Sequence, residues 1–230
     1  NEKMRQEFTA NVSHELKTPL TSISGYAELI ETGIAKPEDT PGFARKIHVE
    51  ASRMIQLVND ILQLSHLDNV SETGAAPAME TVDLLDVARE CVERQKVNAR
   101  HSYISLTYLG ESAPVTGSRV LLDELCQNLC DNAIRYNRPG GKVQIITACT
   151  RDGHCTLTVK DNGIGIPKEA QTSVFERFYR VDKSRSKATG GTGLGLAIVK
   201  HIARIHNARI KLDSVVDEGT TITVIFETAS

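Results

Sequence analysis

The chain has 230 residues, of which 40% are hydrophobic and 24% are charged, the balance of an ordinary soluble globular protein. A net charge of −2 and an aromatic content of 4% argue against a nucleic-acid partner, and the sequence shows neither a membrane-spanning apolar run nor a secretory signal. This length allows one or two domains with hydrophobic cores of their own.

The chain begins at Asn1 in a charged run and not at a Met, so we expect it to be a fragment of a longer protein. Its cysteines are odd in number and form no CxxC pair, which favours reduced, buried thiols over disulfides or zinc. Packing in the core is the expected role of Cys126 and Cys130, which share an apolar helix face. The five cysteines are Cys91, Cys126, Cys130, Cys149 and Cys155.

The first helix is predicted over residues 1–32, where apolar residues recur every three or four positions. His14 lies off this apolar stripe, and Thr18, four residues later, shares its face. Pro19 should bend the helix one turn after the histidine. An imidazole on a polar face beside a bend suits a nucleophile that must be reached from outside, although a solvated His beside a tolerated kink would look the same.

A second helix follows the loop at residues 33–42 and carries an alternating four-three apolar seam from Phe43 to Ser65. Leu57, Leu62 and Leu64 widen this seam beyond what one partner helix would cover. We therefore predict that an α-helical hairpin at residues 1–68 pairs with a second copy as a dimeric four-helix bundle. Packing of the seam on the rest of the same chain is the alternative.

Residues 69–79 are poor in large apolar side chains and predict a linker. The pattern then changes to interspersed strands and helices, which predicts an α+β two-layer sandwich over residues 80–230, with helices on one face of a mixed sheet. The expected strands are 80–85, 103–109, 142–150, 155–160, 209–216 and 220–226, and the expected helices run from 86 to about 99, from 118 to 136 and from 193 to 206.

A first polar cluster lies on the helix at residues 118–136. Asn128, Asn132 and either Arg135 or Tyr136 are spaced by three or four residues, so they project from one face. Amide oxygens suit Mg²⁺ and a guanidinium suits phosphate, which indicates a site for metal-bound phosphates. Plain surface polarity is the alternative.

A second cluster, Asp161-Asn-Gly163-Ile-Gly165, stands where a strand ends. The two glycines let backbone approach a ligand closely, and Asp161 could accept a hydrogen bond from an exocyclic amine. A simple β-turn is the competing interpretation.

A third cluster, Gly190-Gly-Thr-Gly-Leu-Gly195, opens a helix and predicts an anion site made of backbone N–H groups. No parallel βαβ unit is predicted before it and no Gly-Lys-Ser/Thr is present, so it is neither a dinucleotide fingerprint nor a Walker motif. Residues 168–187, between the second and third clusters, hold six Lys or Arg against three Asp or Glu. Such a basic segment could close over a triphosphate, unless it is an ordinary surface loop.

Together and in this order, these segments resemble the cytoplasmic core of the sensor histidine kinases of two-component signalling. The resemblance covers nearly the whole chain. It implies a dimerisation and phosphoacceptor hairpin followed by a catalytic ATP-binding domain of the gyrase, Hsp90, kinase and MutL type, with ATP and Mg²⁺ bound.

In the hairpin, the resemblance makes residues 13–20 the phosphoacceptor motif and His14 the acceptor of the γ-phosphoryl group. Glu15 would orient and polarise the imidazole. The run from Glu15 to Thr18 looks like the family's phosphatase signature, in which Thr18 positions water against a phosphorylated response regulator.

In the ATP-binding domain, the resemblance makes Asn132 the Mg²⁺ ligand beside Asn128. Arg135 stands where the family usually has Lys, which keeps the charge but changes the donor geometry. Tyr136 would flank the nucleotide and Asp161 would read adenine. The other residues implied in nucleotide binding are Gly163, Gly165, Phe178, Arg180, Lys183, Gly191, Thr192, Gly193, Leu194 and Gly195. Phe175, together with Phe178, matches the family's phenylalanine motif.

One position separates kinases from hydrolases in this resemblance. Hydrolysing relatives carry a Glu four residues before the magnesium Asn, where it activates water. Here Asn128 occupies that position, and an amide cannot serve as a general base. We therefore expect ATP to be held until His14 attacks it.

The implied partners are a second copy of the chain and the receiver domain of a response regulator, with no nucleic acid and no direct membrane contact by this fragment. The implied location is the cytoplasmic portion of a sensor in the inner or plasma membrane. Two alternatives from other classes are a dimeric signalling scaffold without catalysis and a soluble ATPase of the chaperone type.

Overall fold

A computed structural model describes residues 2–73, 77–182 and 190–227 of the chain, with the side chains of residues 6–70 in the first of these ranges. The chain divides into two compact units, Asn1–Gln63 and Leu64–Ser230. Within the described ranges, none of the helices combines the length and the hydropathy that a bilayer crossing requires.

The first unit is a helical hairpin. Helix α1 spans Glu2–Glu31 and continues past Pro19, and helix α2 spans Thr40–Thr73. The stacked rings of Tyr26 and Phe43, with centroids 5.6 Å apart, join the end of α1 to the start of α2. The hairpin is therefore as predicted.

Helix α2 is longer than expected, because residues 69–73 of the predicted linker are helical. This stretch contains neither Gly nor Pro, so nothing in it terminates the helix. Residues 77–79 have no regular structure, and residues 74–76 of the predicted linker lie outside the described residues.

An apolar stripe on α2 stays uncovered in the first unit. Ile55, Val58 and Leu62 follow each other at spacings of three and four, and their exposed fractions are 64%, 42% and 63%. Leu20 on α1 is also exposed. Because a contiguous exposed apolar stripe marks an interaction surface, this observation supports the predicted pairing with a second copy.

The second unit is an α+β sandwich, which confirms the predicted fold class. A five-stranded mixed sheet has the order β2-β4-β5-β7-β6, in which β2 and β4 are parallel and the other neighbours are antiparallel. The elements of this unit are β1 Glu80–Asp83, α3 Leu84–His101, β2 Ser105–Gly110, β3 Pro114–Gly117, α4 Arg119–Arg135, β4 Lys142–Cys149, β5 His154–Asp161, a 3₁₀ turn Lys168–Ala170, α5 Gly195–Ile205, β6 Arg209–Val215 and β7 Gly219–Glu227.

The core of this unit lies between the sheet and the three helices α3, α4 and α5. Strands β4, β5 and β7 bury every second residue, as one face of a sheet covered by helices requires. Cys126 and Cys130 on α4 are fully buried, so their predicted core role is confirmed.

Three features of this unit were not expected from the sequence. Strand β3 pairs with β1 in a separate two-stranded sheet, and the parallel pair β2 and β4 is joined through α4. The expectation of reduced thiols is wrong for Cys149 and Cys155, which form a disulfide. These residues face each other at the end of the β4–β5 hairpin, and only the strand register brings them together.

The last part of α2 belongs to the second unit, where Leu64 and Leu67 are fully buried. The carboxylate of Asp68 accepts hydrogen bonds from Arg177 Nη2 at 2.7 and 2.9 Å. His201 Nε2 on α5 lies 3.3 Å from the same carboxylate and 3.1 Å from Arg177 Nη2. This charged cluster holds the end of α2 against both α5 and the segment before Phe178.

Asp83 joins the start of α3 to the strand pair β1 and β3. It is the N-cap of α3, and its Oδ1 accepts hydrogen bonds from the backbone N–H groups of Leu85 and Ala113, at 2.9 and 2.8 Å. Ser112 Oγ donates to Oδ2 at 2.6 Å. Burial raises the pKa of Asp83, but these hydrogen bonds outweigh it and the pKa is lowered.

We predict that Asp83→Ala lowers the free energy of unfolding at pH 7 by about 1–2 kcal/mol, because it removes a helix cap and leaves buried donors unpaired. The folded-state pKa lies below the ordinary 3.8, so this stabilisation is present above that pH and is lost as the pH falls below it. Urea titrations at several pH values measure both effects.

Asp86→Ala is the matched control, because Asp86 forms only an exposed pair with Arg89 in the first turn of the same helix. We expect it to change the free energy of unfolding by less than about 0.5 kcal/mol. Equal losses for the two variants would contradict the capping role of Asp83.

Candidate functional site

The three clusters of the second unit lie against one another, with α4 in the middle. Asn128 and Asn132 project from one side of α4, and Arg135 and Tyr136 follow at its end. The Asp161 loop, residues 161–167, packs on that end through a hydrogen bond of 3.1 Å from the Ile164 N–H to the Tyr136 carbonyl. The glycine loop, Gly190–Gly195, lies along the same polar side.

The glycine loop lies close against the side chains of Asn128 and Tyr136. A Cβ atom on Gly191 would stand 2.9 Å from the Tyr136 hydroxyl oxygen, and one on Gly195 would stand 3.0 Å from Asn128 Oδ1 and 3.6 Å from Asn132 Nδ2. The loop therefore brings its backbone against the asparagine side chains, as a backbone anion site next to a metal site requires.

The Asp161 loop also depends on glycine. A Cβ atom on Gly163 would stand 2.4 Å from the Tyr136 carbonyl oxygen. Gly165 has a φ of +69°, and its Cβ would stand 2.1 Å from the carbonyl oxygen of Val215. Both glycines are fixed by the space and the backbone conformation available to them.

Asp161 is the titratable group of this loop with the clearest perturbation. Its Oδ1 accepts hydrogen bonds from the backbone N–H groups of Gly163 and Thr220, at 2.8 and 3.3 Å. Burial raises the pKa of Asp161 to about 6, against the lowering effect of these two bonds. Among the described residues both bonds reach Oδ1, so Oδ2 faces no described donor and can receive one from a ligand.

Phe178 and Arg180, which precede the glycine loop in the chain, lie against it. The N–H of Phe178 donates to the Gly193 carbonyl at 2.8 Å, and Phe178 itself has a φ of +63°, which is rare for an aromatic residue. A Cβ atom on Gly193 would stand 3.3 Å from Arg180 Nε. Phe178 and Arg180 therefore lie at the glycine loop, and their roles toward the nucleotide stay predictions. Lys183 lies outside the described residues.

Thr192 and Leu194 are the other two predicted residues of this loop, and both are buried. Thr192 Oγ1 accepts the N–H of Leu194 at 3.3 Å, which stabilises the turn into α5. Phe175 is half-buried in the segment after the 3₁₀ turn. The buried side chains of Thr192 and Leu194 therefore support the loop from within, and the role of Phe175 stays a prediction.

The asparagine pair has the chemistry of a partial Mg²⁺ site. Asn128 Nδ2 donates to the Glu124 carbonyl at 2.9 Å, which turns its Oδ1 toward Gly195. Magnesium takes oxygen ligands and completes its shell with waters and substrate phosphates. The amide oxygen of Asn128 and the side-chain amide of Asn132, beside the glycine loop, fit that requirement.

The predicted phosphoacceptor group lies in the first unit. His14 is exposed on α1, so the predicted accessibility of its imidazole within the chain is confirmed. Thr18 Oγ1 donates to the His14 carbonyl at 3.3 Å. Glu15 Oε2 lies 3.8 Å from Arg53 Nη2 on α2, and its role toward the imidazole stays a prediction.

Two charged residues beside the predicted ones escaped the sequence analysis. Arg53 pairs with Glu15, and its position next to the apolar seam of α2 is the signal that could have identified it. Asp131 pairs with Arg135 at 2.6 Å, and the spacing of four residues on α4 indicates such a pair.

Both parts of the chain match models of known protein families. A model described as the His Kinase A (phospho-acceptor) domain matches residues 4–70. A model described as the Histidine kinase-, DNA gyrase B-, and HSP90-like ATPase matches residues 117–230. The first match contains His14, and the second contains all three clusters of the candidate site.

Among curated proteins, the chain is similar to the sensor-like histidine kinase SenX3 of Mycolicibacterium smegmatis, with 44% identity over 228 residues. The match covers 97% of this chain but only 57% of SenX3. Among solved structures, the mycobacterial sensor histidine kinase MprB is 32% identical with a TM-score of 0.56, and the match covers 65% of this chain and 97% of the solved one.

A likeness of fold extends to the histidine kinase ThkA, solved in complex with the response regulator protein TrrA. The identity is 23% and the TM-score 0.74, and the match covers 97% of this chain and 61% of the ThkA chain.

Proposed function

The chain belongs to the sensor histidine kinases of two-component signalling, and from this premise we propose that it is the part that uses ATP to phosphorylate its own His14. The phosphoryl group then passes to an aspartate of a response-regulator receiver domain, and the same hairpin removes it from that regulator. The observation that carries the proposal is the convergence of the α4 polar side, Asp161 and the glycine loop in one unit, with an exposed histidine in the other.

ATP binding follows from the chemistry of the three clusters. Asp161 Oδ2 accepts the exocyclic amine of adenine, and Tyr136 flanks the nucleotide. The N–H groups of the glycine loop and the guanidinium groups of Arg135 and Arg180 bind the phosphates. Lys183, in the basic segment 168–187, is a further cation for them. Mg²⁺, held by Asn132 with Asn128 beside it, would neutralise charge on the phosphates.

Asn128 supports a kinase over a hydrolase. Its amide is tied to the Glu124 carbonyl and has no proton-accepting nitrogen, so it cannot activate water. The bound triphosphate is thus kept until an imidazole arrives, which argues against the soluble ATPase alternative.

The transfer is an in-line displacement. The unprotonated nitrogen of His14 forms a bond to the γ-phosphorus while the bond from that phosphorus to the β–γ bridging oxygen breaks, and ADP leaves. Positioning and cationic groups lower the barrier, and no strong base is needed. Glu15, anchored beside Arg53, orients the imidazole and balances the charge that it gains.

Two partners are part of the proposal. The exposed stripe Ile55, Val58 and Leu62 supports a dimeric four-helix bundle, and a monomer in sedimentation equilibrium would contradict it. A receiver domain as the second partner is supported by the relative ThkA, which is solved with a response regulator protein. We also propose that this part lies on the cytoplasmic side of a membrane-bound sensor and makes no membrane contact itself.

We expect the wild-type chain, incubated with γ-labelled ATP and Mg²⁺, to acquire a label that is labile in acid and stable in base, as a phosphorylated imidazole is. His14→Gln should abolish this label, because it removes the nucleophile. His48→Gln is the matched control, since His48 is an exposed histidine on α2, and it should keep the label. Label that persists in His14→Gln would refute the proposal, and phosphate release without phosphoprotein would favour a soluble ATPase.

The proposed role of Asp161 makes nucleotide affinity depend on pH. Its pKa near 6 means that the carboxylate becomes protonated between pH 7 and pH 5, so the acceptor for the adenine amine weakens as the pH falls. We expect the dissociation constant of ADP to rise by up to about tenfold over this interval, beyond the change seen in Asp161→Asn. Calorimetric titrations at each pH measure it. Asp152→Asn, an exposed control, should follow the wild type, and identical profiles for wild type and Asp161→Asn would exclude this role.

Thr18 is expected to serve dephosphorylation and not phosphorylation. Thr18→Ala should leave autophosphorylation within about twofold and slow the loss of phosphate from a receiver domain by at least about tenfold, because it removes the group that positions water. The receiver domain used in this assay is chosen from a panel as the one to which the labelled chain transfers its phosphoryl group fastest. Thr21→Ala is the control, since Thr21 makes the same kind of bond, to the Lys17 carbonyl, but lies about one turn further from His14 along α1. An unchanged rate of dephosphorylation in Thr18→Ala would contradict this role of Thr18.

A further inference from the structure

The guanidinium of Arg135 is held by a carboxylate on its own helix. Asp131 Oδ2 accepts a hydrogen bond from Arg135 Nη2 at 2.6 Å, a short distance for a charge-assisted bond. The side chains of Arg135 and Asp131 are only 23% and 35% exposed, so the pair is less screened by solvent than a fully exposed one.

The other side of Arg135 faces the glycine loop. A Cβ atom on Gly190 would stand 3.6 Å from Arg135 Nη1, and one on Gly191 would stand 3.8 Å from Arg135 Cδ. One nitrogen of the guanidinium is thus bound to Asp131 while the other is directed to the loop that receives phosphates. A planar guanidinium serves both sides with its donors in a fixed geometry, whereas the donors of a Lys ammonium share a single nitrogen.

A free arginine side chain would have to be ordered when a phosphate binds, which costs about 0.5–1.5 kcal/mol for a side chain with many rotamers. Asp131 contributes to ordering the Arg135 side chain before the ligand arrives. We propose that Asp131 is a positioning residue for the phosphates of the nucleotide, acting through Arg135. This inference rests on the proposed binding of ATP at the three clusters.

A purely structural role is the competing explanation, because ion pairs four residues apart stabilise helices by a few tenths of a kcal/mol wherever they occur. Helix α4 provides the matched control. Asp123 pairs with Arg119 across the same spacing, at 3.2 Å, in the first turns of the helix and away from the glycine loop. Asp123 Oδ1 also lies 3.5 Å from Arg94 Nη2 of α3, so Asp123→Asn removes at least as much charge pairing as Asp131→Asn, but away from the glycine loop.

The test compares the dissociation constants of ATP and adenosine for the 230-residue chain and its variants. We expect Asp131→Asn to raise the value for ATP by about three- to tenfold, the equivalent of the ordering cost, and to leave the value for adenosine unchanged. Asp123→Asn should leave both values unchanged. Asp131→Asn should add nothing further in a chain that already carries Arg135→Gln.

Three results would overturn the inference: an unchanged ATP value in Asp131→Asn, an equal loss for adenosine and ATP, or full additivity of Asp131→Asn and Arg135→Gln. A wild-type chain that binds no ATP would instead refute the proposed function, and this inference with it. Thermal unfolding of each variant shows whether a weaker affinity reflects loss of the fold, in which case the adenosine value changes too.

Discussion

The nucleotide site depends on how closely backbone can approach the end of α4. The carbonyl oxygen of Tyr136 lies 2.4 Å from the place where Gly163 would carry a Cβ atom, and the hydroxyl oxygen of the same tyrosine lies 2.9 Å from the corresponding place on Gly191. Tyr136 thus contacts the Asp161 loop through its backbone carbonyl and the glycine loop through its side-chain hydroxyl. Because neither loop has a side chain at its point of contact, Asp161 on one side and the anion-binding loop on the other are held at fixed places around a single residue.

This arrangement also explains why binding and chemistry are assigned to different parts of the chain. In the proposed function, the groups around α4 bind and neutralise phosphate, while the amide of Asn128 takes the place where a hydrolase needs a base. Reactivity would then come from outside the pocket, from the exposed imidazole of His14 on α1. This separation of the pocket from the nucleophile would make phosphoryl transfer depend on a conformational step.

Much of this could be predicted from the sequence, because it is written in local patterns. Amphipathic periodicity defines α1, α2 and α4, and spacings of three and four residues put Asn128, Asn132 and Arg135 on one side of a helix. Features that depend on register or on distant partners could not be predicted. The disulfide between Cys149 and Cys155 requires the alignment of β4 with β5, and Arg177 gives no sign in the sequence that its partner is Asp68, 109 residues away. Strand β3 is short and begins with a proline, so its own residues do not predict a strand. Its extended structure depends on pairing with β1.

Helix α2 crosses the boundary between the two compact units without a break, since it runs to Thr73 while the second unit begins at Leu64. Its last turns bring Leu64, Leu67 and Asp68 into that unit. A chimaera that grafts this catalytic part onto another sensor should therefore be spliced inside α2, before Leu64, and not in the glycine- and alanine-rich segment that looks like the natural joint. Splicing at that segment would remove two core leucines and a charged partner from the transplanted part.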